Sequence, residues 1–599
     1  MAIRRPGIPR STRILRRNGG AHPASPGASL LLLAALFAVV LVGCALVDGF
    51  DLWHVTSFQL DRRDTAQPLR NGLVYAASYL IGIAALVVPL AHRSPWIRWP
   101  ALVGTAATLA IAVAMRWMNG AGFTHHEAVL FFAEWTRLPE ALGHFFWSWA
   151  PPAAAIVAVT VAVGAFLARR PLPLRSVLWL GVPVACLGLQ HLVLERTVGK
   201  VYQFPAPQRV VLLTWWAWDH RVPYYGPRDP VVASPSGDPV APHIVFVMDE
   251  SVSGDLLGIN GGPRETTPRL AEREGVFNYG IASAISNLSS NTNIVLQSGL
   301  RPDQIPDSRL RALKNPSLFD YMQRAGFEVH YIDAQNYANR PQNLMSRFDM
   351  DGMDRFVSVR ADRVGESEDQ VDFEALRFVR EAVTGSDRSF VYLLKTGAHF
   401  PYGDKFPEGR PTFASQAEFD ARHPDYAGVP VDYVNATAWT VDAHLSSLLD
   451  TLAGTGREAL VIYTSDHGQS FRPPPGSNST WPHGVVEHPP PEQAAVPLIV
   501  LTVGEDVTRW VAERFRPGLV DRSSGFELFP SLLEAAGYRA GDVPGLHVSL
   551  FDGSAERGER RFLSGNLFGT SPGAYNHPMV GVVSYLNPFS IDEVDRSGR

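Results

Sequence analysis

Two apolar, β-branched runs in this chain end in residues that bind metals. His243-Ile244-Val245-Phe246-Val247-Met248 breaks into Asp249-Glu250-Ser251, and Leu460-Val461-Ile462-Tyr463-Thr464 breaks into Ser465-Asp466-His467-Gly468. Buried parallel strands read as continuous hydrophobic runs, and ligands gather beyond the carboxyl ends of such strands. Glu250, Asp466 and His467 therefore form a candidate metal shell, although the two runs lie over 200 residues apart. Asp466-His467-Gly468 alone would suit a turn with a capped helix equally well. Glu250 at a second strand end is what favours the metal. A carboxylate–imidazole set is hard to borderline and suits Zn²⁺ best, with Mn²⁺ or Mg²⁺ as alternatives.

The elements that must position these residues follow from His243 onward. Strand-like runs fall at 243–249, 327–332, 389–395, 459–465 and 496–502. Between and after them, Pro316–Ala325, Asp372–Val383, Asp432–Leu452 and Phe526–Ala536 repeat apolar residues at helical spacing. That alternation predicts an α/β/α sandwich with a mostly parallel sheet.

The first third of the chain is different in kind. Five windows lack Asp, Glu, Lys and Arg: 27–47, 71–91, 99–115, 145–168 and 176–194. A membrane span needs about 20 apolar residues, with roughly 17 to 25 tolerated. Arginines 4, 5, 10, 13, 16 and 17 precede the first window, Arg93 and Arg98 follow the second, and Arg169, Arg170 and Arg175 follow the fourth. The positive-inside rule puts the N-terminus in the cytoplasm and, after five crossings, residues beyond Glu195 outside. Loops 48–70 and 116–144 then face outward. The second carries His125, His126, Glu127, Phe131-Phe132 and Trp135, a mixture suited to anchoring at the lipid–water interface or to holding a lipid headgroup. The predicted organisation is a transmembrane domain (1–195), an interfacial helix with an extended connector (196–242) and a catalytic domain (243–599).

Composition narrows the field. A formal charge of -5 over 599 residues gives no case for nucleic acid as a partner. Only Cys44 and Cys186 are present, both in apolar runs, so the outer part has no disulfide framework.

The outer domain resembles the alkaline phosphatase/sulfatase superfamily, and within it the membrane-bound phosphoethanolamine transferases. The matching pieces are Val247-Met248-Asp249-Glu250-Ser251, Pro263-Arg264-Glu265-Thr266-Thr267-Pro268, Gly397-Ala398-His399-Phe400-Pro401-Tyr402, Ser465-Asp466-His467-Gly468, His483-Gly484 and Pro491-Glu492-Gln493-Ala494-Ala495-Val496-Pro497. The resemblance implies a threonine that is both nucleophile and metal ligand. Thr292 is aligned with it in Ser289-Ser290-Asn291-Thr292-Asn293, with Ser289 and Ser290 as substitutes, because Ile294-Val295-Leu296 reads as the first turns of a helix. A helix-capping role for Thr292 is the plainer reading of the residue alone. The resemblance also implies pocket roles for His399 and His483. Each could bind a second metal, orient phosphoryl oxygens or protonate a leaving group.

The implied activity is transfer of phosphoethanolamine from phosphatidylethanolamine, through a phosphothreonine, to an outer-face glycolipid such as lipid A or to a glycan. It would be carried out by a monomer in the cytoplasmic membrane with its catalytic domain in the periplasm. Transfer of phosphoglycerol from phosphatidylglycerol is the alternative, and a sulfatase or phosphodiesterase-type hydrolase or an inactive scaffold are the remaining classes. Two features depart from the family: the outer domain lacks its disulfides, and Asp249 replaces a small residue, which adds negative charge beside the metal ligands.

Overall fold

A computed structural model describes residues 26–60, 66–119, 123–133, 146–169, 174–197, 203–224, 226–307, 309–336, 341–361, 367–471, 482–484, 489–552, 560–565 and 567–568. Its first helices are α1 (Pro26–Leu60), α2 (Ala66–Leu90), α3 (Pro95–Asn119), α4 (His125–Ala133), α5 (Phe146–Ala168), α6 (Gly181–Thr197) and α7 (Ala206–Tyr224). Among the described residues, four segments are long and apolar enough to cross a membrane: Ser29–Gly49, Gly72–Leu90, Pro95–Trp117 and Trp149–Leu167. The fifth expected span is shorter. A 3₁₀ turn at Val177–Leu180 leads into α6, and the apolar part covers Val177–Val193. Two loops expected on one side of the membrane lie together, since Arg93 N donates to Leu174 O at 2.7 Å.

The expected outward loop 48–70 is largely helical, because α1 continues to Leu60 and α2 begins at Ala66. At its start lies a buried charge pair that sequence distance conceals. Asp48 accepts from Tyr79 Oη at 2.8 Å, from Ala206 N at 2.9 Å and from Arg209 Nη2 at 3.0 Å. A carboxylate with these partners can stay inside a helix bundle. The pair also fastens α7, the helix expected in 196–242, to α1 and α2. Close approach matters here too: a Cβ on Gly82 would lie 2.5 Å from Gln208 Oε1 and 2.6 Å from Pro205 Cδ. Expected loop 116–144 contains α4, whose start is capped by Glu127 accepting from Thr124 N at 2.8 Å. Trp135 lies outside the described residues.

From Gly226 the chain runs extended along the outer domain, with Asp229 N donating to Lys314 O and Val240 N to Ala535 O, both at 2.8 Å. That domain is an α/β sandwich around one seven-stranded sheet, ordered β2-β7-β6-β1-β5-β3-β4. The strands are β1 (His243–Asp249), β2 (Val276–Ser283), β3 (Glu328–Asp333), β4 (Arg355–Ser358), β5 (Ser389–Leu394), β6 (Ala459–Ser465) and β7 (Ala495–Val503). Only β7 breaks the parallel arrangement, pairing antiparallel with β2 and β6. Alternate residues of β1 feed opposite cores: Ile244, Phe246 and Met248 one, Val245 and Val247 the other. Both faces are covered, which is why the strand is apolar without alternation.

Two strands escaped the sequence reading. β2 has a register shift between Asn278 and Ile281, with Gly280 at φ +76°, so its pattern is interrupted. β4 has four residues at the sheet edge.

Two buried histidines make stability depend on pH. His444 Nε2 donates to Asp372 O at 3.0 Å, and burial together with the Lys395 charge pushes its pKa down to about 3. His243, beside Ser389 Oγ at 2.8 Å, is pushed down to about 4 by burial and by Arg457. Both are neutral when folded but titrate near pH ~6.5 when unfolded. The unfolded chain then binds more protons below that pH, so their contribution is full above it and is lost as pH falls. Thermal melts of the detergent-solubilised protein should show the melting temperature falling from pH 6.5 towards 4. The slope should approach about 1.4 kcal/mol per histidine per pH unit, and His444→Gln should flatten it.

Candidate metal and nucleophile site

Strand register brings the candidate ligands together. β1 lies between β5 and β6, parallel to both, with Asp249 opposite Ser465 and Met248 opposite Leu394. The next residues of β1 and β6 are Glu250 and Asp466, which must therefore leave the sheet side by side. Ligand atoms of Glu250, Asp466 and His467 all lie within 4.8 Å of one another, and all three residues are buried.

Local bonds orient each group. Asp466 Oδ1 accepts from His467 N at 2.7 Å and from Ser251 N at 3.0 Å. Ser251 takes the left-handed conformation (φ 63°), held there by these contacts, by Tyr433 Oη donating to its carbonyl at 2.7 Å and by its own Oγ donating to Glu250 Oε1 at 2.9 Å. His467 Nδ1 sits 2.9 Å from Gly468 O, which leaves Nε2 facing the carboxylates at 3.4 Å from Glu250 Oε1 and 3.7 Å from Asp466 Oδ2.

Electrostatically the cluster calls for positive charge. Burial and the Glu250 carboxylate raise Asp466 to about 8. Burial lowers His467, yet Asp466 and Glu250 together raise it to about 9. Glu250 is also pushed up by burial, but His467 beside it holds it well below the ordinary carboxylate range. Asp466 Oδ2 and His467 Nε2 are buried with no hydrogen-bond partner among the described residues. Orphaned buried atoms are costly unless something binds them. These two, with Glu250 Oε1, fit a divalent cation.

The hydroxyls sort differently from the sequence expectation. Helix α8 (Ser289–Ser298) begins at Ser289, not at the apolar residues beyond Thr292. Thr292 Oγ1 accepts from Ser286 N at 3.1 Å and donates to Asp466 O at 2.8 Å, and the residue is 3% exposed. Its hydroxyl is engaged by main chain and ties the ligand loop to the helix. Ser290 is buried as well, whereas half-buried Ser289 donates through Oγ to Glu250 Oε1 at 3.4 Å. The sequence reading misplaced the helix start because Ser-Ser-Asn-Thr-Asn are weak helix formers.

His483 is half-buried with its ring 4.1 Å from that of His467. His399 is exposed, its Nδ1 2.7 Å from Phe400 O, and near enough for its charge to bear on Glu250. Asp249 does not load charge onto the metal ligands, contrary to the sequence expectation. Its Oδ2 is 2.6 Å from Lys395 Nζ, both fully buried, and accepts from Tyr463 Oη at 2.8 Å. The register explains the pair, because Lys395 follows Leu394 and so stands beside Asp249. Asp249 Oδ1 accepts from Glu250 N at 3.0 Å, and a Cβ on Gly397 (φ +53°) would lie 2.3 Å from that oxygen.

With this geometry in place, comparison with known proteins is informative: residues 242–538 match the sulfatase family. The outer domain is a sulfatase domain of the alkaline phosphatase superfamily. The Kdo(2)-lipid A phosphoethanolamine 7''-transferase of Escherichia coli K12 is 24% identical over 324 residues, 52% of this chain and 50% of that protein. Phosphoethanolamine transferase EptC of Escherichia coli RS218 is 24% identical over 232 residues, 38% of this chain and 39% of that protein. The chain thus spans about half or less of the length of the curated relatives it matches. The solved lipooligosaccharide phosphoethanolamine transferase A of Neisseria meningitidis, an integral membrane protein, superposes with a TM-score of 0.54. It is 16% identical over 85% of this chain and 97% of that one. That likeness concerns the fold, and extends beyond the outer domain to the N-terminal helices.

Removing one partner of the Asp249–Lys395 pair strands a charge in the core. Lys395→Met alone should cost about 3–5 kcal/mol. Combined with Asp249→Asn it should recover most of that loss, as read by denaturation of the solubilised protein.

Proposed function

We propose that this protein transfers phosphoethanolamine from a membrane phospholipid to an outer-face glycolipid or glycan, with Ser289 as the nucleophile. The observation that carries the reading is the half-buried Ser289 hydroxyl, at the first residue of α8 and bonded to Glu250 within the Glu250–Asp466–His467 cluster. The relatives compared above are named for phosphoethanolamine rather than phosphoglycerol, which favours ethanolamine as the headgroup. A sulfatase activity requires a Cys/Ser-x-Pro-x-Arg context, and Ser289-Ser290-Asn291-Thr292-Asn293 lacks both the proline and the arginine.

Glu250, Asp466, His467 and Ser289 would hold the divalent cation, and the carboxylate–imidazole donor set favours zinc over Mn²⁺ or Mg²⁺. When bound, that ion lowers the hydroxyl's pKa and screens the charge of an incoming phosphodiester. The chain's own residues supply the rest. Ser289 Oγ would give up its proton to solvent and attack phosphorus; the bond from phosphorus to the diacylglycerol oxygen breaks, and that oxygen takes a proton as diacylglycerol leaves. The first backbone N–H groups of α8 would offer the phosphoryl oxygens a favourable place for an anion. His399, exposed and close enough for its charge to bear on Glu250, would give the proton, and His483 stacks on the His467 ring. An acceptor hydroxyl then attacks the phosphoserine, loses its proton and restores Ser289. The charge bias of the N-terminal arginines supports a cytoplasmic N-terminus with the site on the far side of the membrane.

The test uses purified full-length protein with phosphatidylethanolamine and no acceptor. Peptide mass spectrometry should find phosphoethanolamine on Ser289. Ser289→Ala should lose it, with turnover down by at least about 10³-fold. An adduct on Thr292, or one carrying glycerol, would overturn the assignment of nucleophile or donor respectively.

A further inference from the structure

We infer that Gln335 holds Glu250 to a single metal-facing oxygen, which makes it a positioning residue for the site. Gln335 lies two residues beyond β3, whose Asp333 pairs with Leu394 of β5, while Leu394 pairs with Met248 of β1. Three neighbouring strands thus end in step, and the Gln335 side chain reaches across to β1. Its Nε2 donates to Lys395 O at 2.8 Å and to Glu250 Oε2 at 3.0 Å.

The amide orientation is set by its surroundings. Gln335 Oε1 accepts from Gln342 Nε2 at 3.4 Å, and Gln342 Nε2 also donates to Asp333 Oδ2 at 2.8 Å. Asp333 Oδ1 in turn accepts from Gln335 N at 2.8 Å and Asn336 N at 3.0 Å. A flipped amide would set its oxygen against two acceptors and its nitrogen against a donor. The nitrogen must therefore face Glu250.

The consequence is a division of labour within the carboxylate. Oε2 is committed to the amide. Oε1 faces His467 Nε2 at 3.4 Å and receives Ser251 Oγ at 2.9 Å and Ser289 Oγ at 3.4 Å. Asp466 shows the same division by different means, with Oδ1 held by two backbone N–H groups and Oδ2 turned inward. Each carboxylate is thereby limited to one donor atom. Two such oxygens, His467 Nε2 and the Ser289 hydroxyl make a four-donor set that includes the nucleophile. Were Glu250 free to chelate, its second oxygen would compete for the place Ser289 occupies. Outer-shell partners of this kind orient ligands and tune the metal.

This inference rests on the metal-site reading above, and the experiment separates the two. Zinc-loaded full-length protein in detergent is studied by X-ray absorption, with cobalt-substituted samples followed by visible absorption. Wild type should show about four nitrogen or oxygen ligands. Gln335→Met, nearly isosteric but without the donor, should rise towards about five, with weaker cobalt d–d bands and an unchanged melting temperature before metal is added. A wild type that already has five or more ligands, or a variant whose coordination and bands match wild type, would overturn the inference. A wild-type count of five or more overturns the inference even if Gln335→Met does not fold. A wild type that binds no zinc would instead sink the metal reading itself.

Discussion

The registration of β1 between β5 and β6 is the constraint on which the site depends. Parallel strands have evenly spaced, slanted bonds, so fixing one pair of partners fixes every other pair. With Asp249 opposite Ser465 and Met248 opposite Leu394, the chain has no freedom over what meets at the carboxyl edge. Glu250 meets Asp466, Lys395 meets Asp249, and one strand further out Gln335 comes within reach of Glu250. A one-residue slip would send each side chain to the opposite face and put apolar groups where the ligands stand. Because Ile244, Phe246 and Met248 fill one core while Val245 and Val247 fill the other, such a slip is opposed by both layers at once.

Concentrating carboxylates at a buried edge creates an electrostatic problem, which the fold meets in tiers. Deepest lies Asp249, where burial pushes its carboxyl pKa up and Lys395 pulls it back down. Lys395 Nζ is 2.6 Å from Asp249 Oδ2, so the carboxylate next to Glu250 in sequence has its counter-charge within the core. The next tier is the ligand cluster, in which every carboxylate oxygen turned away from the centre is bonded to N–H. Asp249 Oδ1, Gln335 Nε2 and Ser251 N are the framing atoms. What remains uncompensated is confined to the centre. Buried charge is expensive unless matched, so its confinement to one point is itself evidence that something cationic belongs there.

How far the sequence could be read follows from the same physics. The five strands rich in β-branched residues were legible because burial on both faces leaves a continuous apolar signature, and Glu250, Asp466 and His467 were legible because they interrupt it. β2 and β4 were not, one broken by a bulge at Gly280 and the other too short to carry a pattern. Thr292 Oγ1 bonds Ser286 N and Asp466 O, contacts that lie outside any local sequence pattern. Asp249 misled for a related reason, since its counter-charge comes from Lys395, 146 residues away. Gln335 carried no signal at all: a lone glutamine after a strand is unremarkable until the register shows what it faces. Local periodicity reports burial, whereas hydrogen-bond partners are a tertiary property.

The membrane half bears on the chemistry through one further long-range pair. Asp48 and Arg209, 161 residues apart, fix α7 against α1 and α2. That helix ends at Tyr224, and by Arg228 the chain is already held by the outer domain through its bond to Ala312 O at 2.9 Å. Only three residues lie between those two points. So short a connector cannot carry the domain far from the helix, because an extended residue spans at most ~3.6 Å. The sulfatase-type domain is therefore kept within reach of whatever surface α7 occupies. For a soluble donor this closeness would bring nothing. For a lipid donor confined to a membrane it raises the effective concentration of headgroups at the site without any added contact. With the proposed lipid donor, the buried ion pair among the helices would belong to the same functional arrangement as the ligands at the sheet edge, although the two share no residue.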